Sequence, residues 1–366
     1  MQELKNRYLS LDVFRGLDVA LMIIVNSPGN YSATYSPLLH AEWHGFTLTD
    51  LVFPTFLFVV GNSMSFALPK YESMGDGEFL KKIFKRTLII FLLGFLMYWF
   101  PFFEGGHLKP INQTRIFGVL QRIALCYFFA SIIIHYFKVK GALIFSLVAL
   151  VLYRVLLGAF GDLTLEGNAV LKLDAFLIGE SHMYHGEGLA FDPEGLLSTL
   201  PSIVNVIAGY MTGLYLQKNG QNYETLAKMM MVGAAFIFMA LWWDLLFPIN
   251  KKLWTSSFVL HTVGIDLLVL PILVFIIDIA KKTKWTYFFE VFGKNTLFIY
   301  LVSEVFVILL FTFKINDQSA YSWIAQHIFG ATLSDYTGSL GFALWIMLSC
   351  WAVGYVMDKK KIYVKV

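Results

Sequence analysis

A short segment near the N-terminus holds the densest group of side chains able to do acid–base chemistry. Asn26 precedes a Ser-Pro-Gly turn, His40, Glu42 and His44 follow within the run LLHAEWHG, and Asp50 comes six residues later. Imidazole titrates near neutral pH, so a histidine beside carboxylates can take a proton from a nucleophile or attack an acyl group itself. The segment is therefore a candidate site for proton or acyl transfer.

Three interpretations of this segment remain open from residue types alone. His40 and His44 could hold a metal ion, but two histidines four residues apart need a third ligand, and the sequence offers none nearby with a typical spacing. The segment could also be a structural loop that anchors Trp43 at a membrane interface. The third interpretation is a catalytic histidine oriented by a neighbouring carboxylate.

The elements that must carry these side chains are predicted to be membrane helices. Of the 366 residues, 57% are hydrophobic and only 14% are charged, whereas soluble domains carry about 25% charged residues. A soluble chain with so few charges would expose large apolar patches. The composition therefore argues against a soluble enzyme and against disorder, and the net charge of +3 gives no indication of nucleic-acid binding.

Hydropathy predicts an all-α, polytopic integral membrane protein of about ten transmembrane helices, forming a single domain over residues 1–366. No cleavable signal peptide is expected, because no basic stretch followed by an apolar run and a small-residue cleavage site opens the sequence. The predicted helices cover residues 12–30, 48–69, 84–103, 116–137, 141–160, 195–217, 226–247, 254–280, 286–313 and 340–357.

The distribution of lysine and arginine predicts the orientation. Basic residues concentrate in alternate loops, beginning with Lys5 and Arg7 and ending with Lys359–Lys361 and Lys365, so both termini are expected in the cytoplasm. The 161–194 loop then lies outside, either as a solvated surface or as a lid or binding surface for a cationic group. Its acidic residues are Asp162, Glu166, Asp174, Glu180, Glu187 and Asp192.

Ionisable residues inside apolar spans are costly and mark functional candidates. Such residues can lock helices together as ion pairs, or they can line a polar cavity. A membrane transporter of an amino sugar or a related small sugar would also have such a cavity, although no inverted repeat is visible. Cys126 and Cys350 lie in apolar runs and are expected to be reduced. The in-span polar residues are Asp12, Arg15, Asp18, Gln121, Arg122, Arg154, Asp244, His261, Asp266, Glu290, Lys294 and Glu304.

Several segments together resemble the heparan-α-glucosaminide N-acetyltransferases, in order and over almost the whole chain. They are LSLDVFRGLDVALMIIVN, LLHAEWHG, TDLVFPTFLFVVG, TRIFGVLQRIALCYF, FDPEGLLSTLPSI, INKKLWTSSFV and KKKIYVKV. The resemblance implies transfer of acetyl groups from cytoplasmic acetyl-CoA to the amine of a glucosamine-type sugar across the membrane. A bacterial member would act at the inner (cytoplasmic) membrane on a periplasmic amino sugar or glycan, and the family suggests a homodimer.

The resemblance also implies roles for particular residues. His40 matches the active-site histidine, as nucleophile or as general base, and Asn26 matches its partner asparagine, whose amide can stabilise an oxyanion. Asp244 matches an acidic residue able to capture the ammonium group of the acceptor. Trp43, Glu42 and Asp50 are further candidates for contact with the acceptor, and no metal is implied.

The donor substrate needs cations, because the diphosphate of coenzyme A is anionic and a membrane cavity must compensate for its desolvation. Arg122 and Gln121 are the candidates inside the bundle. Arg86 lies toward the predicted cytoplasmic mouth, where a purely topogenic role for the basic residues is equally open.

Overall fold

The computed structural model describes residues 8–364, and most of these are helical. The helices are α1 (Leu9–Asn26), α2 (Leu48–Glu72), α3 (Asp76–Trp99), α4 (Val119–Phe160), α5 (Ala169–Ile178), α6 (Leu196–Asn219), α7 (Tyr223–Asp244), α8 (Ser256–Val274), α9 (Thr286–Lys294), α10 (Thr296–Thr312), α11 (Ala320–Ile324) and α12 (Asp335–Lys359). A wider helical turn extends α8 through Phe275–Ile279, and another extends α11 through Ala325–Gly330.

Two small antiparallel hairpins close connections between helices. In the first, β1 (Phe103–Glu104) pairs with β2 (His107–Leu108) between α3 and α4. In the second, β3 (Lys314–Ile315) pairs with β4 (Gln318–Ser319) between α10 and α11. With only two residues in each strand, the hairpins shape loops and contribute no sheet to the core.

The all-α, multi-pass architecture is confirmed in its main features. A helix occupies each predicted segment. In the described part of the chain, six helices are long and apolar enough to cross a membrane (α2, α4, α6, α7, α8 and α12), and α9 with α10, bent by 85°, would make a seventh. The count of about ten spans and the cytoplasmic termini remain predictions. Lys5, Arg7 and Lys365 lie outside the described residues.

The longest helix, α4, has a break where the sequence predicts two separate spans. Lys138 has a φ of 54° inside its 42 residues, and a positive φ is uncommon for a residue with a side chain. The Lys138 ammonium is 3.3 Å from Glu72 at the end of α2. His135, one turn earlier, bridges Glu72 at 3.2 Å and Asp76 at 3.0 Å. Polar groups therefore surround the break, as expected near a membrane surface.

Close helix contact in the centre depends on small residues. A Cβ added at Gly61 of α2 would lie 1.8 Å from the carbonyl oxygen of Val206 in α6, and one at Gly209 of α6 would lie 1.8 Å from that of Phe58 in α2. The two glycines let the backbones of α2 and α6 touch, as small residues do in membrane bundles. This contact fixes the position of α2, whose first turn carries Asp50.

Elsewhere in the bundle, Cys126 and Cys350 are buried and free, as predicted.

The predicted orientation can be tested by cysteine labelling. Lys172 in α5 and Lys360 after α12 are both exposed, and the distribution of basic residues predicts that they lie on opposite sides of the membrane. A membrane-impermeant maleimide added to intact spheroplasts should label Lys172→Cys and spare Lys360→Cys, while both react after lysis. The opposite pattern would place the His40 segment in the cytoplasm.

Candidate active site

The start of α2 fixes a carboxylate beside His40. Thr47 and Asp50 form a capping box at the first turn of the helix, an arrangement that satisfies free backbone N–H groups. One oxygen of the buried Asp50 accepts hydrogen bonds from the backbone N–H of Thr47 at 3.0 Å and of Ala41 at 3.1 Å. The other oxygen lies 2.6 Å from Nδ1 of His40. Asp50 therefore both caps α2 and orients the His40 ring.

This pairing determines which nitrogen of His40 can act as a base. A carboxylate accepts hydrogen bonds, so Nδ1 of His40 carries the proton and the lone pair is on Nε2. Nε2 has no hydrogen-bond partner among residues 8–364, and the side chain is 34% exposed. His40 therefore presents a free basic nitrogen on a ring whose orientation is fixed by Asp50.

His44 is held in the opposite way. Asn250 donates a hydrogen bond from Nδ2 to Nδ1 of His44 at 3.2 Å. The orientation of this amide is fixed because its Oδ1 accepts from the backbone N–H of Leu253 at 2.7 Å. The proton of neutral His44 is therefore on Nε2, and its lone pair is already used. His40 and His44 engage separate partners, and no group of three or more possible metal ligands occurs in the described part of the chain.

The surroundings of His40 keep its imidazole neutral. Burial lowers the pKa of His40 below its ordinary value of 6.5, and the positive charge of Lys251 lowers it further. The hydrogen bond and charge of Asp50, together with the charge of Glu194, act in the other direction and only partly compensate. At neutral pH the ring is therefore uncharged and able to accept a proton.

The lowered pKa predicts the pH dependence of catalysis. Protonation of His40 requires a pH below 6.5, so the acid limb of kcat/KM should lie below that value. Removing the charge of Lys251 in a Lys251→Ala variant should move the limb to higher pH, because one group that lowers the pKa is lost. A limb above pH 6.5 in the wild type, or one unmoved by Lys251→Ala, would contradict this assignment.

A buried ionic network lies next to His40. Arg115, between α3 and α4, contacts Asp192 at 2.9 and 2.6 Å and Glu194 at 2.7 Å. Lys251 lies 3.7 Å from Glu194. Burial opposes ionisation of Glu194, but Lys251 and Arg115 hold its pKa at about 2, so the carboxylate stays charged. The network joins the end of the 161–194 loop to Arg115 and Lys251, and the charges of Lys251 and Glu194 act on His40.

Other contacts attach the same loop along its length. Trp43 donates from its indole N–H to the carbonyl of Leu163 at 2.7 Å. Lys252 lies 2.5 Å from Glu187 and donates to the carbonyl of Glu42 at 2.8 Å. The loop thus contacts Trp43 directly and is linked to the Glu42 backbone through Lys252. Several of its acidic side chains are neutralised by cations of this chain.

The opposite end of the polar region contains Asn26, the last residue of α1. Its exposed side chain is hydrogen-bonded to Glu304 in the middle of α10. Tyr300, one turn before Glu304, and Tyr98 at the end of α3 both interact electrostatically with Glu304. The hydroxyl of Tyr98 accepts a hydrogen bond from Arg115 at 3.3 Å. Glu304, hydrogen-bonded to Asn26, therefore lies within electrostatic range of Tyr98, which contacts the ionic network next to His40.

We name this region the outer polar site. It consists of His40, Asp50, Lys251, Glu194, Arg115, Tyr98, Tyr300, Glu304 and Asn26.

Asp244 lies on the His44 side of the region. One of its oxygens accepts the backbone N–H of Ile249 at 2.6 Å. Its charge raises the pKa of His44, although burial has the larger effect and lowers it. The structure thus brings Asp244 to His44, while Asp50 is the carboxylate bound to His40. Both Asp50 oxygens are engaged, so its contribution is orientation of His40.

Arg122 and Gln121 are fully buried in the first turn of α4. The Arg122 guanidinium lies over the ring of Trp254 at 4.9 Å and donates to the carbonyl of Gly195 at 3.0 Å and to the hydroxyl of Ser198. Its Nε and Nη1 and the amide of Gln121 have no hydrogen-bond partner in the described part of the chain. Arg122 therefore lies beneath Gly195 and close to the outer polar site, whereas Gln121 lies against Gly94 of α3.

Arg86 occupies a deeper position. It lies in α3 about 20 Å from the Trp99 end, taking 1.5 Å per residue. Its guanidinium is 4.7 Å from the ring of Tyr127 in α4, and its buried Nε has no hydrogen-bond partner among residues 8–364. The three cofactor candidates thus lie at two different depths.

Sequence reasoning did not assign the ionic network, although its members lie in quoted motifs. Arg115 belongs to TRIFGVLQR, Asp192 and Glu194 to FDPEG, and Lys251 to INKKLW. Their position in motifs that resemble the family was the one indication that these residues are functional. Their mutual contact could not be inferred, because the three motifs are far apart in the sequence and only helix packing brings them together.

Comparison with known proteins gives an independent result. A family model described as "Heparan-alpha-glucosaminide N-acetyltransferase, catalytic" matches residues 7–222. The human heparan-alpha-glucosaminide N-acetyltransferase is 27% identical over 426 aligned positions, covering 100% of this chain and 61% of the human protein. The mouse protein is 27% identical over 429 positions, with 99% and 61% coverage. The chain thus spans about three fifths of the length of these relatives.

The matched range includes Asn26, the His40–Asp50 pair, Arg115 and Glu194, and it covers more than half of the sequence. The chain therefore belongs to the heparan-alpha-glucosaminide N-acetyltransferase catalytic family.

Proposed function

We propose that this protein is a membrane acetyltransferase that moves an acetyl group from acetyl-CoA to the amine of a glucosamine-type sugar. The observation that carries the proposal is the His40–Asp50 pair, with Nδ1 held at 2.6 Å and Nε2 free. Family membership supplies the acyl-transfer context. The relatives are named for acetylation of a heparan α-glucosaminide, and that substrate class is carried to this chain as part of the proposal.

The chemistry requires a base and then an acid. Nε2 of His40 takes a proton from the acceptor amine while the nitrogen of the amine attacks the thioester carbon. When the tetrahedral intermediate collapses, the C–S bond breaks and the imidazolium returns the proton to the coenzyme A thiolate. The products are the N-acetyl sugar and free coenzyme A. Asp50 stabilises the transient imidazolium through Nδ1, and the Asn26 amide can donate a hydrogen bond to the oxyanion.

An alternative route uses His40 as the nucleophile. Its Nε2 then attacks the thioester first, and the C–S bond breaks to give an acetyl-imidazolium and the coenzyme A thiolate. The amine next displaces the acetyl group from the ring nitrogen, and the proton that the amine loses balances the one that the thiolate takes up. Because Nε2 of His40 is free, it can act either as a base or as a nucleophile. The two routes differ in whether a labile acetyl group accumulates on His40 when no acceptor is present.

Among the donor-side candidates, the depth of Arg86 favours it for the coenzyme A phosphates. The diphosphate lies a pantetheine arm away from the thioester, so its cation must be well removed from His40. Arg86 meets this condition because it lies about 20 Å along α3 from Trp99. Arg122 lies beside the outer polar site instead, and we expect it to support the region that holds the acetyl group, with Gln121 beside it in α4. The distribution of basic residues supports donor entry from the cytoplasm and acceptor binding in the periplasm of a bacterial inner membrane.

Arg86→Ala is expected to weaken coenzyme A binding by about 1.5–3 kcal/mol, the usual value of a charge-assisted hydrogen bond. Arg86→Lys should recover part of this affinity, since the charge stays and the fork geometry is lost. Arg154→Ala, which removes a cation stacked on Phe247, is the matched control and should bind normally. If Arg122→Ala weakens binding while Arg86→Ala does not, the phosphates lie at Arg122.

The acceptor side is proposed to involve the surface around His44. Asp244 has one oxygen engaged by a backbone N–H and is partly exposed, so its other oxygen can receive a sugar hydroxyl or amine. Glu42 is exposed, and Trp43 offers an aromatic face beside it. Asp50 contributes through His40 rather than by direct contact.

The deciding experiment is an acetyl-transfer assay with the purified protein in nanodiscs. Acetyl-CoA and a panel of amino sugars are supplied, and both free thiol and N-acetyl sugar are quantified. The proposal expects equal amounts of the two products, and loss of both in His40→Ala. A protein that carries an amino sugar across liposomes and neither binds coenzyme A nor forms product would be a transporter instead.

A further inference from the structure

We propose that Glu304, together with Asn26 and Tyr300, forms the subsite that binds the charged amino group of the acceptor. This inference rests on the proposed function and deepens it, because it identifies an ammonium group as the feature by which the acceptor is recognised. Glu304 has no role in the mechanism described above.

The other carboxylates of the outer polar site are already neutralised or fully engaged. Asp50 accepts from His40, Ala41 and Thr47. Asp192 and Glu194 are paired with Arg115, and Glu194 also with Lys251. None of these three has an oxygen left for a cationic ligand without loss of an existing ion pair or hydrogen bond.

Glu304 differs from them. Within residues 8–364 it forms no ion pair with lysine, arginine or histidine, and its hydrogen bond is to the neutral amide of Asn26. The side chain is only partly exposed. A carboxylate withdrawn from water without a countercharge is unfavourable, so a cation delivered by a ligand would be bound strongly there.

The groups around Glu304 fit a primary ammonium. Asn26 is exposed and carries both an amide oxygen and an N–H group, so it can contact the amine or a neighbouring hydroxyl. Tyr300 and Tyr98 lie within electrostatic range of Glu304, and aromatic rings also attract cations. An ammonium has three donors, which matches a carboxylate, an amide oxygen and a phenolic oxygen.

Asp244 is the competing carboxylate, since it also lacks an ion pair in the described part of the chain. It lies beside His44, whose Nδ1 is taken by Asn250. Glu304 instead contacts Asn26, the residue already assigned to the reacting centre. The geometry therefore favours Glu304 for the reacting amine, and leaves Asp244 to the rest of the sugar.

The test compares a charged with an uncharged acceptor. Glucosamine is largely an ammonium ion at neutral pH, whereas hydroxylamine is uncharged. Glu304→Gln should raise the KM for glucosamine by about 10–100-fold, the range expected for loss of one charge-assisted contact, with a smaller change in kcat. Transfer to hydroxylamine and binding of coenzyme A should stay within twofold of the wild type. Glu224→Gln, at an exposed i,i+4 pair with Lys228, is the matched control and should behave as wild type with both acceptors.

Each outcome separates the two levels of inference. If the wild type acetylates neither acceptor, the proposed function fails. If the wild type is active and Glu304→Gln keeps its KM for glucosamine, or loses activity equally with both acceptors, the ammonium subsite is overturned. If Glu304→Gln does not fold, as shown by absent coenzyme A binding, Glu304→Asp takes its place. This variant keeps the charge but moves it back by the length of one methylene group. The KM for glucosamine should therefore rise, while the KM for hydroxylamine should stay unchanged. An unchanged KM for glucosamine would overturn the subsite.

Discussion

Replacing His40 with alanine is expected to reduce acetyl transfer by on the order of 10²–10⁴-fold, the usual contribution of a general base, and by more if His40 is the nucleophile. The expectation follows from the free Nε2 and from the 2.6 Å contact of Nδ1 with Asp50. Initial rates with saturating acetyl-CoA and glucosamine measure the loss. Coenzyme A affinity should be retained, because the proposed phosphate contact at Arg86 lies far from the ring.

The matched control is His44→Asn. The ring of His44 accepts a hydrogen bond from Asn250, and an asparagine side chain can accept a similar bond, so most of the activity should remain. Inactive His44→Asn together with active His40→Ala would move the catalytic role to His44. Mass spectrometry of wild-type protein given acetyl-CoA alone then separates the two routes, since a labile acetyl group on His40 is expected only for the nucleophilic one.

Asp50→Asn is expected to lower kcat by on the order of 10²-fold or more. Asparagine has nearly the same shape but can present an N–H to the ring, which favours the tautomer with the proton on Nε2 and removes the basic nitrogen from the site. The same substitution also removes the charge that stabilises the imidazolium. Loss of the orienting carboxylate has comparable effects in serine-protease triads. The measurement is kcat as a function of pH, together with KM for both substrates.

Because Asp50 also caps α2, its effect on stability must be separated from its effect on His40. Thr47→Ala removes the other half of the capping box, together with the hydrogen bonds of the hydroxyl to Asp50 and to the Leu39 carbonyl. It leaves the side chains of both His40 and Asp50 unaltered. It should cost about 1 kcal/mol of stability, as lost caps do, with a much smaller loss of kcat than Asp50→Asn. Equal losses of kcat in the two variants would make Asp50 a structural cap only.

The helical architecture follows closely from local sequence. Each predicted segment contains a helix, because an apolar run of about twenty residues satisfies its own backbone hydrogen bonds as a helix. Boundaries shifted where polar residues continue the helix, as in α3, which begins at Asp76 rather than near residue 84. The number of spans was less predictable. The 18 residues of α1 include Asp12, Arg15 and Asp18, and length with hydropathy does not decide whether such a helix crosses the membrane or how it is buried.

The candidate site was predictable to different extents. His40 and Asn26 were identified by the motifs that contain them, and both lie within the range that the family model matches; their roles remain predictions. Asp50 was identified as part of the site, but its role as the partner of His40 depends on how the nine residues between them turn back. Arg122 was assigned to the donor, whereas its burial beneath Gly195 is visible only in the folded chain.

By itself, the sequence indicated that the chain is apolar enough for a membrane, that it is helical, and which motif holds His40. Composition and periodicity are local properties, and each helix can form from its own residues. The tertiary structure alone decided which nitrogen of His40 is free, which cations neutralise the 161–194 loop and which carboxylate of the site is left without a countercharge. Most of those properties depend on contacts between residues far apart in the sequence, 79 positions for Arg115 with Glu194 and 210 for Lys252 with Glu42. Only the arrangement of the helices sets the distances over which charges and hydrogen bonds act.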